Sequence, residues 1–176
     1  MSKNIILIGY MGCGKSSVGR QLAKNRQMDY IDLDDYIEMK EKDTIREIFK
    51  NKGEVYFRKI EATYLQECLG SLKNTVLSLG GGTPCFGNNM QTIVEAINSP
   101  SVYLQTSIGE LAKRLFTEKD KRPLIAHTKT VDELTEFIAK HVFERSQYYL
   151  QSQLKVSTNS KSVEEIVTEI GSLIEV

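Results

Sequence analysis

A chain of 176 residues with 40% hydrophobic and 26% charged side chains is most simply one globular domain with a substantial core. Lys plus Arg and Asp plus Glu both total 23, so no overall basic field calls for nucleic acid or an anionic membrane, and any anion site must come from local clusters. The first apolar run is too short to span a membrane, no signal-peptide pattern follows it, and Cys13, Cys68 and Cys85 are too scattered for a disulfide framework or a zinc site, so a reducing, cytoplasmic location is expected.

Residues 4–9, 30–32, 75–79, 102–105 and 154–157 read as five short strands. Between them, residues 15–27, 45–51, 54–71, 89–98, 108–117 and 131–151 carry helical spacing or composition. Ser162 reads as an N-cap for a last helix over 163–173, with Glu165 completing a capping box. Strands alternating with helices predict an α/β protein, its parallel sheet covered on both faces and joined by right-handed crossovers. Ligands of such a sheet collect at the carboxyl ends of the strands.

The first strand end carries the most informative motif. Gly9-Tyr10-Met11-Gly12-Cys13-Gly14-Lys15-Ser16 reads G-x-x-x-x-G-K-S, between an apolar strand and a helix. Its backbone amides fold around a phosphate, Lys15 reaches the outer phosphates, and the Ser16 hydroxyl suits a magnesium ion. A nucleoside triphosphate is therefore the expected ligand.

The other strand ends add less specific groups. Asp32 and Asp34, two apart on an extended chain end, point the same way; one carboxylate near the loop would help hold the water shell of Mg²⁺. Asp35 reads as a helix-start residue. The plainer reading of the aspartate pair is a solvated strand end and cap. Gly80, Gly81 and Gly82 either form a flexible turn or let a ligand approach the backbone. Arg58 and Glu61 share a helix face, which is equally consistent with a surface ion pair, and Phe49 and Phe57 read as core. Arg145, late in a long helix, is unremarkable alone. The charged segment 117–129, interrupted by Pro123, is either an exposed loop or a closing lid.

In this order and spacing, the phosphate loop, Asp32-Leu33-Asp34, Phe57-Arg58 with Glu61, the triple glycine, Lys121-Arg122-Pro123-Leu124 and Glu144-Arg145 followed by Tyr148 resemble the shikimate kinase family over nearly the whole chain. The resemblance implies a P-loop fold of the nucleoside-monophosphate-kinase type. This is a three-layer sandwich with a five-stranded parallel sheet in order 2-3-1-4-5, forming one kinase domain over 1–176. A substrate-binding segment lies at about 33–61 and a mobile lid at about 117–129. The implied reaction is ATP-dependent phosphorylation of the 3-hydroxyl of shikimate, with Mg²⁺ as cofactor.

Carried over by position, Lys15, Asp34 and Arg122 would be catalytic. Gly12, Cys13, Gly14, Lys15, Ser16, Ser17, Arg114 and Arg122 would bind the nucleotide, with Arg114 beside the adenine. Ser16 would ligate magnesium directly and Asp32 through water. Asp34, Arg58, Glu61, Gly80, Gly81, Gly82 and Arg145 would contact shikimate, the two arginines gripping its carboxylate. An adenine-side contact near Lys161 is left unassigned. The implied partners are ATP and shikimate; the balanced charge and short apolar runs call for no nucleic acid or membrane, and with no long apolar heptad a monomer is expected.

Cys13 departs from the alanine or serine commoner in the family; only its amide is needed there. A thiol beside several amides could ionise readily, which predicts alkylation that inactivates the protein and is blocked by Mg-ATP; an inert thiol is the plainer expectation. Ile125 replaces a commoner leucine. Related kinases of nucleotides or gluconate, a silent binding relative and a GTPase switch are the competing classes, the last without an Asn-Lys-x-Asp motif.

Overall fold

The computed structural model describes residues 4–119, 122 and 124–174. Asp120, Lys121 and Pro123 of the expected lid lie outside the described residues.

The strands are β1 (Ile5–Ile8), β2 (Asp29–Asp32), β3 (Thr75–Ser78), β4 (Ser101–Gln105) and β5 (Leu154–Ser157). All pairs are parallel, in the order β2-β3-β1-β4-β5. Strand β1 is central and wholly buried, as its unbroken Ile-Ile-Leu-Ile run requires of a strand covered on both faces. The helices are α1 (Lys15–Arg26), α2 (Leu33–Glu41), α3 (Ile45–Ser71), α4 (Asn89–Val94), α5 (Ile108–Phe116), α6 (Val131–Tyr149) and α7 (Val163–Ile174). A short 3₁₀ turn, Thr83–Cys85, follows the triple glycine.

Local capping chemistry explains most helix starts. Thr44, Ser107 and Thr130 each accept from the backbone N–H three residues on. Ser162 and Glu165 form the expected reciprocal box at 2.7 and 3.2 Å.

Three expectations need correction. Helix α2 begins at Leu33, so Asp34 stands in a first helical turn and not on an extended end. Asp32 is its N-cap, taking the Asp34 N–H at 3.0 Å, and Asp35 lies one residue further in. Residues 45–51 and 54–71 form the single element α3, bent at the non-helical Gly53 (φ 81°, ψ 172°). Helix α4 stops at Val94, short of the expected residue 98.

The packing of α1 on the sheet depends on a glycine that carries no motif. A Cβ at Gly19 would lie 2.5 Å from the Tyr30 ring and 3.1 Å from Leu7. Gly19→Ala is expected to destabilise the fold by about 1–3 kcal/mol, read as a lower denaturant midpoint with unchanged slope.

Candidate active site

The loop after β1 is shaped by glycines at φ 148° (Gly9), 79° (Gly12) and 99° (Gly14), the last serving as N-cap of α1. These conformations are open to glycine and strained for other residues. Lys15 folds along the loop, donating from Nζ to the carbonyls of Gly9 at 2.7 Å and Tyr10 at 3.1 Å. Ser16 and Ser17 are exposed at the helix start.

The loop forms one wall of a cleft of about 510 Å³ at the carboxyl ends of the strands. Gly12, Gly14, Lys15, Ser16, Ser17, Asp32, Asp34, Gly80, Gly81, Arg114 and Arg122 line it. Arg114 is steered toward the loop by hydrogen bonds to Glu110 Oε1 (2.8 Å) and Gly12 O (3.3 Å). Lys161 is not among the lining residues; it pairs with Glu169 at 2.5 Å.

Arg58, Gly82 and Arg145 stand just behind this lining, and the triple glycine joins them to it. A Cβ at Gly80 would sit 3.1 Å from Asp34 Oδ1. At Gly81 it would sit 3.3 Å from the Met11 amide and 3.6 Å from Arg145 Nη1. At Gly82 it would sit 3.3 and 3.4 Å from the two terminal nitrogens of Arg58. Three successive glycines thus bring the phosphate loop, a carboxylate and two arginines to one backbone step. No periodicity could have revealed that convergence.

Burial, with Asp32 and Glu61 nearby, pushes the Asp34 carboxyl up to about 7, partly countered by Lys15. Burial also raises Asp32, against the N–H donated by Asp34. Ser78, opposite Asp32 on β3, lines the same floor, its buried hydroxyl beside the Tyr30 phenol. A hydroxyl (Ser16) and a carboxylate (Asp32) lining one cleft form an all-oxygen set that fits Mg²⁺.

Several side chains act differently from expectation. Glu61 is buried, with one oxygen on Arg58 Nη1 (3.0 Å) and the other on Thr83 Oγ1 (2.7 Å), so it faces Arg58 and Thr83 and the pair is no surface bridge. Phe57 is buried as expected, but Phe49 is 37% exposed beside it. Tyr149, outside the expected site residues, reaches the glycine loop: its fully buried hydroxyl donates to Gly81 O at 2.5 Å. Cys13 is 1% exposed, which closes it to reagents, so the expected Mg-ATP-protected alkylation is not supported and the inert thiol is.

Tyr10, inside the phosphate loop, carries no sequence signal of a role but is buried. Burial raises its phenol to about 12 and lowers His141, and the phenol and Nδ1 share a hydrogen bond at 2.9 Å. The Arg145 guanidinium lies 5.7 Å from the same ring. The loop is thereby tied to the helix that carries Arg145.

On the lid side, Arg122 pairs with Glu118 at 2.8 Å, and Lys119 Nζ donates to Thr128 O at 2.8 Å. Ile125 and Thr128 are buried, so the carboxyl end of the segment is anchored in the core.

A glycine-rich phosphate loop at the switch point of a 2-3-1-4-5 sheet, facing a carboxylate across a shared cleft, defines the class: a P-loop kinase of the nucleoside-monophosphate-kinase fold. Comparison with known proteins narrows it. The family model described as "Shikimate kinase" matches residues 11–175. A shikimate kinase of Flavobacterium johnsoniae is 45% identical over 168 residues, covering 96% of each chain. One from Flavobacterium psychrophilum is 40% identical over 98% of this chain and 99% of its own.

Among solved structures, shikimate kinase from Bacteroides thetaiotaomicron superposes with a TM-score of 0.90 at 33% identity, covering all of both chains. That from Acinetobacter baumannii, in complex with shikimate, gives 0.84 at 31% identity over 99% of this chain and 94% of its own. The chain belongs to the shikimate kinase family.

Proposed function

We infer that this chain transfers the γ-phosphoryl group of ATP to the 3-hydroxyl of shikimate, a step in aromatic amino-acid biosynthesis, with the residues of the cleft in the following roles. The observation that carries the reading is the placement of Asp34, Arg145 and Arg58 against Gly80, Gly81 and Gly82, beside the phosphate loop. An anionic polyol must approach an anionic nucleotide there, so cations beyond Lys15 are required. Two guanidiniums grip the carboxylate and orient the ring. Asp34 accepts a hydrogen bond from the 3-hydroxyl and takes its proton as the phosphoryl group moves; its raised affinity for protons suits that task at neutral pH.

Gly12, Cys13, Gly14, Ser16 and Ser17 turn backbone amides and hydroxyls to the phosphates, Lys15 neutralises them, and Arg114 flanks the adenine. Ser16 and Asp32 would hold Mg²⁺, which when bound would disperse phosphate charge. Arg122 leaves its weak surface pair with Glu118 to meet the transferring phosphoryl group. Residues 117–129 form the lid that excludes water, and 33–61 form the substrate segment, within one kinase domain. Glu61 positions Arg58.

The enzyme acts in the cytoplasm as a monomer; separately, among the described residues no helix is long and apolar enough to cross a membrane. A coupled ADP-release assay with shikimate, gluconate and AMP as acceptors tests the reading. Shikimate should be preferred by orders of magnitude. ADP at background rate with saturating ATP, magnesium and shikimate would instead mark a silent relative.

A further inference from the structure

We propose that Phe86 is a positioning residue for the substrate carboxylate, acting by holding the plane of the Arg58 guanidinium. The Arg58 Cζ lies 3.6 Å from the Phe86 ring centroid, a face-on contact, while the Phe57 ring lies further off at 5.2 Å. A Cβ at Gly82 would meet Arg58 Nη1 at 3.3 Å, Nη2 at 3.4 Å and Phe86 Cε2 at 3.5 Å. The guanidinium therefore fills a slot between a bare backbone and an aromatic face.

Two edges of the same plane are engaged. Nη1 donates to Glu61 at 3.0 Å and Nε to Glu54 at 3.4 Å. Five N–H groups minus these two leave three for an incoming carboxylate. A fork that is already planar-locked loses less freedom when it binds, so the contact favours shikimate affinity.

The ring has no other evident task. Phe86 is half-buried and lies outside the core cluster, although Thr83, Pro84, Asn89 and Met90 around it are buried. The turn that carries it is held without it: Thr83 N–H bonds Gly80 O at 3.0 Å, Thr83 Oγ1 bonds Glu61, and Asn89 Nδ2 bonds Thr83 O at 2.9 Å. Removing the ring should loosen Arg58 and leave the turn in place.

The proposal rests on Arg58 gripping the carboxylate, so the test separates the two. Initial rates and shikimate titrations are measured for Phe86→Leu, Phe86→Tyr, Arg58→Ala and the Arg58→Ala/Phe86→Leu double variant. Phe86→Leu should raise the shikimate KM by about threefold to thirtyfold, the range of a partly desolvated cation–π contact, with the ATP KM and kcat within about twofold. Phe86→Tyr, which keeps the π face, should restore the wild-type value. In the Arg58→Ala background, Phe86→Leu should cost nothing further.

An unchanged shikimate KM in Phe86→Leu overturns the proposal, as does an equal penalty with and without Arg58. Parallel losses for both substrates with a lower melting temperature also overturn it, since they make the ring structural. If Phe86→Leu does not fold, Phe86→Met is read by the same criteria. An Arg58→Ala variant with normal shikimate KM would instead remove the carboxylate assignment itself.

Discussion

Asp34→Asn is expected to lower kcat by about 10²–10⁴-fold while leaving nucleotide affinity within about threefold, because the amide keeps the shape but cannot take the proton. Steady-state rates with a nucleotide-binding titration decide it; a variant within tenfold of wild-type turnover would remove Asp34 from the chemistry. The same substitution should stabilise the protein at alkaline pH. The Asp34 carboxyl sits at about 7 in the fold against an ordinary 3.8, chiefly through burial.

Between those values the folded chain holds a proton that the unfolded chain has lost, so stability falls as pH rises. The contribution is complete below about 4 and gone above about 7. Asparagine never ionises. Denaturant melts should therefore show Asp34→Asn about 2–4 kcal/mol more stable than wild type at pH 8, with the gap closing towards pH 5. In the wild type, kcat/KM for shikimate should fall about tenfold per pH unit below about 7, as the base becomes protonated.

Arg122→Ala should cost about 10³-fold or more in kcat with little change in the shikimate KM, the pattern of a group that meets charge only in the transition state. Arg122 borders the cleft, and its partner Glu118 is 53% exposed in its side chain, so the pair costs little to break. Lysine at 122 should recover only part of the loss, since it offers a point charge where a planar fork is needed. Pre-steady-state rates separate a chemical effect from slow product release. A loss confined to KM would show that Arg122 merely binds.

The strands and most helices were legible because they are written in short-range pattern. The Ile5–Ile8 run, the capping box at Ser162 and the G-x-x-x-x-G-K-S spacing each act over a few residues. The start of helix α2 is less legible, because Asp32-Leu33-Asp34 also fits a continuing strand end. The capping bond from Asp34 N–H to Asp32, once formed, turns the chain into a helix at once. Tyr149 carries no signal of its own in the sequence, because a helical tyrosine gains its partner only when the fold sets Gly81 against it.

By itself, then, the sequence determined the phosphate loop, the parallel α/β architecture and, through its ordered motifs, the family. Only the tertiary structure decided what each polar group touches. Glu61 became the buried anchor of Arg58, Phe49 came to the surface, Cys13 was sealed from reagents, and Phe86 was laid against a guanidinium. The reason is range. Periodicity and capping are properties of neighbours in the chain, whereas the site forms where β1, β3, α2, α3 and α6 converge. Burial and charge there depend on residues more than a hundred positions apart, as in the Tyr10–His141 contact.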